Sequence, residues 1–85
     1  MSKRLPTETD ATALLQWEFR RGDESLTCAI SAKGPDAYTV MTLPHDDIDR
    51  GAMETFAEPR AALQRHALIA SRLRDSGWSV TSYTH

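Results

Sequence analysis

His66 has the widest chemical capacity in this sequence, because a partly buried imidazole can act as a base, a metal ligand or a pH switch. It lies in the middle of the apolar stripe of a predicted helix. No second catalytic partner occurs at a helical spacing on the same face. We therefore expect a structural histidine at the edge of the core, hydrogen-bonded to a strand carbonyl or hydroxyl.

The segment from His45 to Asp49 is a second candidate, since it places three carboxylates and one imidazole close together. Such a set can hold a divalent cation. The spacing differs from that of an EF-hand loop, because Ala57 stands where the closing bidentate glutamate would be. We therefore expect a solvated acidic loop and predict neither a metal nor another cofactor.

Cys28 is the single cysteine, and together with a histidine it would suggest a nucleophile. Strand alternation places it on the same face as Leu26 and Ile30, so we expect a buried thiol that packs as a small hydrophobic side chain. The sequence contains no Gly-x-Ser-x-Gly, no glycine-rich phosphate loop and no Cys-x-x-Cys pair. It predicts a protein that is not an enzyme.

The predicted helix has a basic outer face, because no acidic residue occurs between Pro59 and Arg74. A basic face of this kind favours a polyanion. Against nucleic acid, the net charge is −2 and the predicted sheet lacks an exposed aromatic pair for base stacking. The arginines of this face are Arg60, Arg65, Arg72 and Arg74.

Leu68 projects from the same outer face, between two of these arginines. Together with Met41 and Leu43 it favours a contact with another protein or with a second copy of the chain. The predicted partner surface comprises Arg60, Arg65, Leu68 and Arg72. We expect a non-enzymatic protein-interaction module that is able to self-associate. The alternative is a nucleic-acid-associated accessory protein that uses the basic helix face.

The composition is that of one small globular domain, with 85 residues, 40% hydrophobic and 26% charged side chains. The single cysteine favours a reducing compartment. The N-terminal residues lack the apolar core of a secretory signal, and no apolar run approaches the roughly 20 residues that cross a bilayer. We expect a cytoplasmic protein without a membrane partner.

Three segments in the first half of the chain have the composition of strands. Leu15 to Arg20 and Leu26 to Ala32 alternate apolar and polar residues on either side of a turn that contains Gly22. In the third segment, Tyr38 to Leu43, apolar residues occur on both faces. A central strand covered on both sides shows this pattern, and so does a surface at which two copies meet.

The second half of the chain predicts one helix, from about 59 to 76, between two short strands. Met53 to Phe56 is a possible fourth strand, and Trp78 begins a final one. Pro59 suits the first helical position, and Gly77 suits the left-handed residue that ends a helix. The predicted inner face comprises Ala62, Leu63, His66, Ile69, Ala70 and Leu73.

This order predicts the α+β class, with an antiparallel β-meander of three to five strands packed on one C-terminal α-helix (about 59–76) as a two-layer sandwich. Residues 14–85 form the predicted domain. Residues 1–13 are polar, include Pro6 and are predicted to be a mobile tail. The sequence leaves the strand order open, since meander and split arrangements both fit.

Three segments carry a resemblance to known proteins: WEFRRGDESLTCAIS, AYTV and METFAEPRAALQRHALIASRLRDSGWSV. They resemble a group of small bacterial proteins that share an N-terminal W-x-F hairpin, an aromatic residue before a helix and a Gly-Trp that closes it. The resemblance covers about residues 15 to 83. It implies no activity, cofactor or ligand, so no functional residue is transferred.

Overall fold

The computed structural model describes the backbone of residues 12–84 and the side chains of residues 14–47 and 49–83. The strands are β1 (Thr12–Arg21), β2 (Glu24–Gly34), β3 (Ala37–Pro44), β4 (Ala52–Phe56) and β5 (Ser79–Thr84), and the helix is α1 (Pro59–Asp75). A short 3-10 turn, Ile48–Arg50, precedes β4. Residues 1–11 of the predicted tail lie outside the described residues, and β1 begins two residues before the predicted domain start at 14.

The strands form one antiparallel sheet in the order β4-β3-β2-β1-β5. The first four strands are a meander. Helix α1 then crosses the sheet, so that β5 pairs with β1 at the edge opposite β4. This arrangement confirms the predicted α+β meander on one helix, and it fixes the strand order that the sequence left open.

The first hairpin is closed by a turn of two residues, Gly22 and Asp23, between the paired Arg21 and Glu24. Gly22 has a φ of 61°, a conformation that glycine adopts without steric cost. The tight turn fixes the register of β1 against β2, so that Glu18 lies opposite Thr27 and Phe19 opposite Leu26.

The end of α1 is a Schellman motif. The Trp78 backbone N–H donates to the Leu73 carbonyl at 2.9 Å, and the Gly77 N–H donates to the Arg74 carbonyl at 3.1 Å. Gly77 has a φ of 96°, which confirms its predicted role as the residue that ends the helix. Trp78 then packs against the core beside Leu73.

Helix α1 packs on one side of the sheet, which we call the covered face. Its buried residues are small or compact, namely Ala62, His66 and Ala70, and they allow a close approach to the strands. The sheet contributes the buried side chains of Phe19, Leu26, Cys28, Ile30 and Val40. Burial of these apolar side chains stabilises the fold through the hydrophobic effect.

The inner stripe of the helix is narrower than predicted. Leu63, which the periodicity assigns to the inner face, is 53% exposed. It lies at the margin of the stripe, beside Pro59, where the two residues line an apolar groove. Ile69 and Leu73 are half-buried and pack against the core as predicted.

Candidate interaction surface

The predicted partner surface on α1 is only partly assembled in the structure. Arg60 and Arg72 are exposed, and Leu68 is 43% exposed on the outer side of the helix, as predicted. Arg65 differs, because its Nε donates to the Glu54 carboxylate on β4 at 2.6 Å. The outer face of the helix therefore has one free guanidinium fewer than the sequence indicates.

His66 is buried beneath α1, with 2% of its surface exposed. Its Nε2 donates a hydrogen bond of 3.2 Å to the Cys28 backbone carbonyl in β2. Burial lowers the pKa of His66 below its ordinary value of 6.5, and the bond to the Cys28 carbonyl acts in the opposite direction. The expectation of a structural histidine bonded to a strand carbonyl is confirmed.

Trp17 packs against this histidine at a T-shaped angle, with ring centroids 5.2 Å apart. It also lies 6.2 Å from Phe19 and 5.6 Å from Tyr83, measured between centroids. Its indole Nε1 is a buried polar atom without a hydrogen-bond partner among the described residues. The aromatic group joins β1 to β5 and α1, so its role here is packing.

Cys28 is fully buried on the covered face. Burial raises the pKa of its thiol to about 11, against the lowering effects of a hydrogen bond with Thr42 and of the Arg65 charge. A thiol in this state is neither a thiolate nor accessible, so it is not a nucleophile at neutral pH. Its predicted place in the core is confirmed.

The acidic segment after β3 does not form a single site. His45 turns towards Thr27, whereas Asp46 and Asp47 line a cleft beside Arg21. Across residues 12–84, no three His, Cys, Asp or Glu side chains come together in a way that would hold a metal ion. The imidazole and the two carboxylates therefore lie in different places, His45 beside Thr27 and the aspartates at the cleft.

The cleft has a volume of about 290 Å³, and one of its walls is formed by Arg21 and Trp78. The guanidinium carbon of Arg21 lies 4.7 Å from the centroid of the Trp78 ring. The same guanidinium donates to the Glu24 carboxylate at 3.0 Å and to the Ser76 carbonyl at 3.1 Å. These internal contacts hold the Arg21 guanidinium against the wall of the cleft.

The side of the sheet opposite the helix is the open face, since no second helix or strand covers it within residues 12–84. It carries a cross-strand row in which Met53 pairs with Met41 and Met41 pairs with Ala29. Met53 is 63% exposed. Met41 and Leu43 are half-buried and Ala29 is buried. We call this group the apolar patch: Ala29, Met41, Leu43 and Met53.

A hydrogen-bonded polar cluster lies beside the apolar patch. Thr27 Oγ1 donates to Glu18 Oε1 at 2.9 Å, and His45 Nε2 lies 2.6 Å from the same hydroxyl oxygen. His45 Nε2 is also 3.5 Å from Glu18 Oε1. We call this group the Glu18–Thr27–His45 cluster. The pairing of β1 with β2 positions Glu18 and Thr27. The backbone N–H of His45 donates to the Ser25 carbonyl at 2.9 Å and so positions His45.

Sequence reasoning did not identify this cluster, although part of the signal was present. The two-residue turn of the first hairpin sets Glu18 opposite Thr27. His45 follows β3, and no sequence pattern predicts that its ring contacts Thr27. The sequence predicts Met53 in a possible strand but assigns it to no particular face. Its exposure on the open face follows from the pairing of β4 with β3.

Comparison with protein-family models, curated proteins and solved structures gave no match for this chain. The resemblance to small bacterial proteins with a W-x-F hairpin and a Gly-Trp helix end therefore stays a prediction. In the part of the chain that the structure describes, α1 and the other helical turn are too short or too polar to cross a membrane.

Proposed function

We propose that this chain is a non-enzymatic interaction module that associates with a second copy of itself through the open face. The apolar patch carries the proposal, above all Met53, which is 63% exposed at its end. Large apolar side chains grouped on an uncovered surface are typical of interaction sites. We place the module in the cytoplasm, because the single Cys28 favours a reducing compartment.

The dimensions of the open face suit a dimer. Five strands spaced by about 4.8 Å, with lengths near eight residues, present a face roughly 20 Å by 25 Å. That outline encloses roughly 500 Å² before the relief of the side chains is counted, compared with the roughly 800 Å² that each partner buries in a specific complex. Two such faces would pack about 10 Å apart, and flexible methionine side chains adapt readily to the opposing surface.

The charges of the open face also suit a second copy better than a polyanion. The negative charge of Glu18 is accompanied on the same face of β1 by the positive charge of Arg20, whose guanidinium donates to the Gly22 carbonyl at 3.1 Å. Two such faces therefore meet without a large excess of like charge. A nucleic-acid partner would require a basic surface, which this face does not provide.

The nucleic-acid alternative rests on the outer face of α1 and stays a prediction. Arg60, Arg72 and Arg74 are exposed there. The fourth arginine, Arg65, is held by Glu54, which removes part of the attraction for phosphates. The structure therefore supports this alternative less than it supports association through the open face.

Sedimentation velocity of the full chain tests the proposal. At high micromolar concentration we expect a dimer for the wild type and a monomer for the double variant Met41→Ser/Met53→Ser. The matched control is Leu63→Ser/Leu68→Ser, which removes two exposed leucines from the helix and leaves the open face intact. Circular dichroism would verify that both variants fold.

The expected pattern is loss of the dimer in the patch variant and its retention in the helix variant. A wild type that is monomeric throughout the concentration range would overturn the proposal. A dimer that survives in the patch variant but dissociates in the helix variant would instead place the interface on α1.

A further inference from the structure

We infer that association through the open face takes up protons at the Glu18–Thr27–His45 cluster, so that two copies bind more tightly as the pH falls. This inference rests on the proposed function, because it requires the open face to be the interface. Its basis is the position of an ion-pairing carboxylate and a histidine beside the apolar patch, where any covering partner would remove both from water.

The hydrogen bonds determine where the protons lie. Thr27 has one hydroxyl proton, which it donates to Glu18 Oε1 at 2.9 Å. The hydroxyl oxygen lies 2.6 Å from His45 Nε2 and accepts from this nitrogen when the imidazole is protonated. A second proton on the imidazole changes the charge of the cluster.

The charge of the cluster depends on that second proton. With a neutral imidazole the cluster carries the single negative charge of Glu18. With a protonated imidazole, 3.5 Å from Glu18 Oε1, the two charges cancel. The side chains of Glu18 and His45 retain 27% and 44% of their exposure, so covering them would remove solvation from both. Burial of an unpaired carboxylate is costly, whereas burial of a paired one costs much less.

The surrounding groups leave Glu18 as the ionised partner of His45. Gln16, which is uncharged, donates to Glu18 Oε2 at 3.0 Å. On the same face of β1, Arg20 is directed to the Gly22 carbonyl in the hairpin turn. After His45, Asp46 and Asp47 line the cleft beside Arg21 and Trp78, away from Thr27. Covering the open face is therefore coupled to protonation of this one imidazole in each copy.

Sedimentation equilibrium of the full chain between pH 5.5 and pH 8, at constant ionic strength, tests the inference. This range spans the titration of imidazole and avoids that of carboxylates. The dimer Kd should rise with pH by up to about tenfold per pH unit for each proton taken up. Two variants probe the cluster: Glu18→Gln, which keeps an oxygen that accepts from Thr27, and His45→Gln, which removes the titrating ring.

In both variants the rise of Kd with pH should disappear. The control His66→Gln removes a histidine from the covered face and should leave the pH dependence of Kd unchanged. A wild-type Kd that does not vary with pH, or an unchanged slope in Glu18→Gln, would overturn the inference and leave the proposed function standing. Absence of a dimer at every pH would overturn both.

Discussion

The two faces of the sheet surround polar groups differently, and adjacent residues of β2 show the difference. Cys28 points to the covered face, is fully buried, and has a thiol whose pKa is raised to about 11. Thr27 points to the open face and is 8% exposed, yet its hydroxyl joins two ionisable side chains. Low exposure of a residue therefore does not reveal whether its neighbours are apolar, as at Cys28, or ionisable, as at Thr27.

Among the described residues each face carries one histidine, and the proposed association would give the two opposite responses to pH. On the covered face, burial holds the pKa of His66 below its ordinary value, so the folded protein disfavours the proton. On the open face, the proposed association of two copies favours a proton on His45, because Glu18 lies 3.5 Å away. Burial in the core therefore opposes protonation of His66, whereas burial beside Glu18 in the proposed dimer would favour protonation of His45.

The largest expected contrast is between core and patch truncations. Phe19→Ala on the covered face should lower the free energy of unfolding by about 3–5 kcal/mol, because it removes a fully buried ring and leaves a cavity. Met53→Ala on the open face should change it by no more than about 0.5 kcal/mol in the dilute monomer. Urea denaturation followed by circular dichroism, at low protein concentration, measures both values.

Dilution is essential to this comparison, since a dimer would stabilise the folded chain by mass action. At high protein concentration the free energy of unfolding should increase for the wild type, which dimerises, and should not increase for Met53→Ala. If Met53→Ala were as destabilising as Phe19→Ala in the dilute protein, the open face would be covered within the monomer and the contrast between the faces would be lost.

The second contrast concerns the pH dependence of folding. His66 has a folded-state pKa below the unfolded value of about 6.5, so the unfolded chain binds more protons between the two. Its contribution to stability is therefore complete above pH 6.5 and is lost as the pH falls from 6.5 through the lower folded-state pKa. In that window the wild-type free energy of unfolding should fall by up to about 1.4 kcal/mol per pH unit.

Urea denaturation from pH 8 to pH 5 measures this slope in dilute protein. His66→Gln keeps an N–H that can reach the Cys28 carbonyl and should flatten the curve below pH 6.5. The matched control His45→Gln should retain the wild-type slope, because His45 lies on the open face of the monomer. A slope that survives in His66→Gln would show that another group controls the acid sensitivity.

The elements of the fold were predictable because each has a local signal. Alternation in Leu15 to Arg20 gave β1, Pro59 and Gly77 gave the limits of α1, and β-forming residues gave β3. The position of β5 beside β1 was not predictable. It depends on the path of α1 across the sheet, which no short sequence pattern encodes.

The surface was less predictable than the core for a related reason. The helical period placed His66 correctly, because the centre of a stripe faces the sheet whatever the helix tilt. Leu63 and Arg65 lie on the flanks of the stripe, where the tilt decides their contacts. The Glu18–Thr27–His45 cluster required three strands to be in register. Both hairpins have two-residue turns, but an irregularity between Ala32 and Gly34 shifts the register of the second hairpin beside its turn.

The smallest expected effect concerns the border of the covered face, where α1 meets the edge strand β4. Arg65 Nε and Glu54 Oε1 are 2.6 Å apart, with side chains 32% and 46% exposed. A double-mutant cycle with Arg65→Ala and Glu54→Ala should give a coupling of about 0.2–1 kcal/mol in urea denaturation, because solvent screens a pair at this exposure. The coupling should weaken in high salt. A coupling well above this range would mean that solvent is excluded from this ion pair as it is from the core. The covered face would then extend to the outer edge of β4.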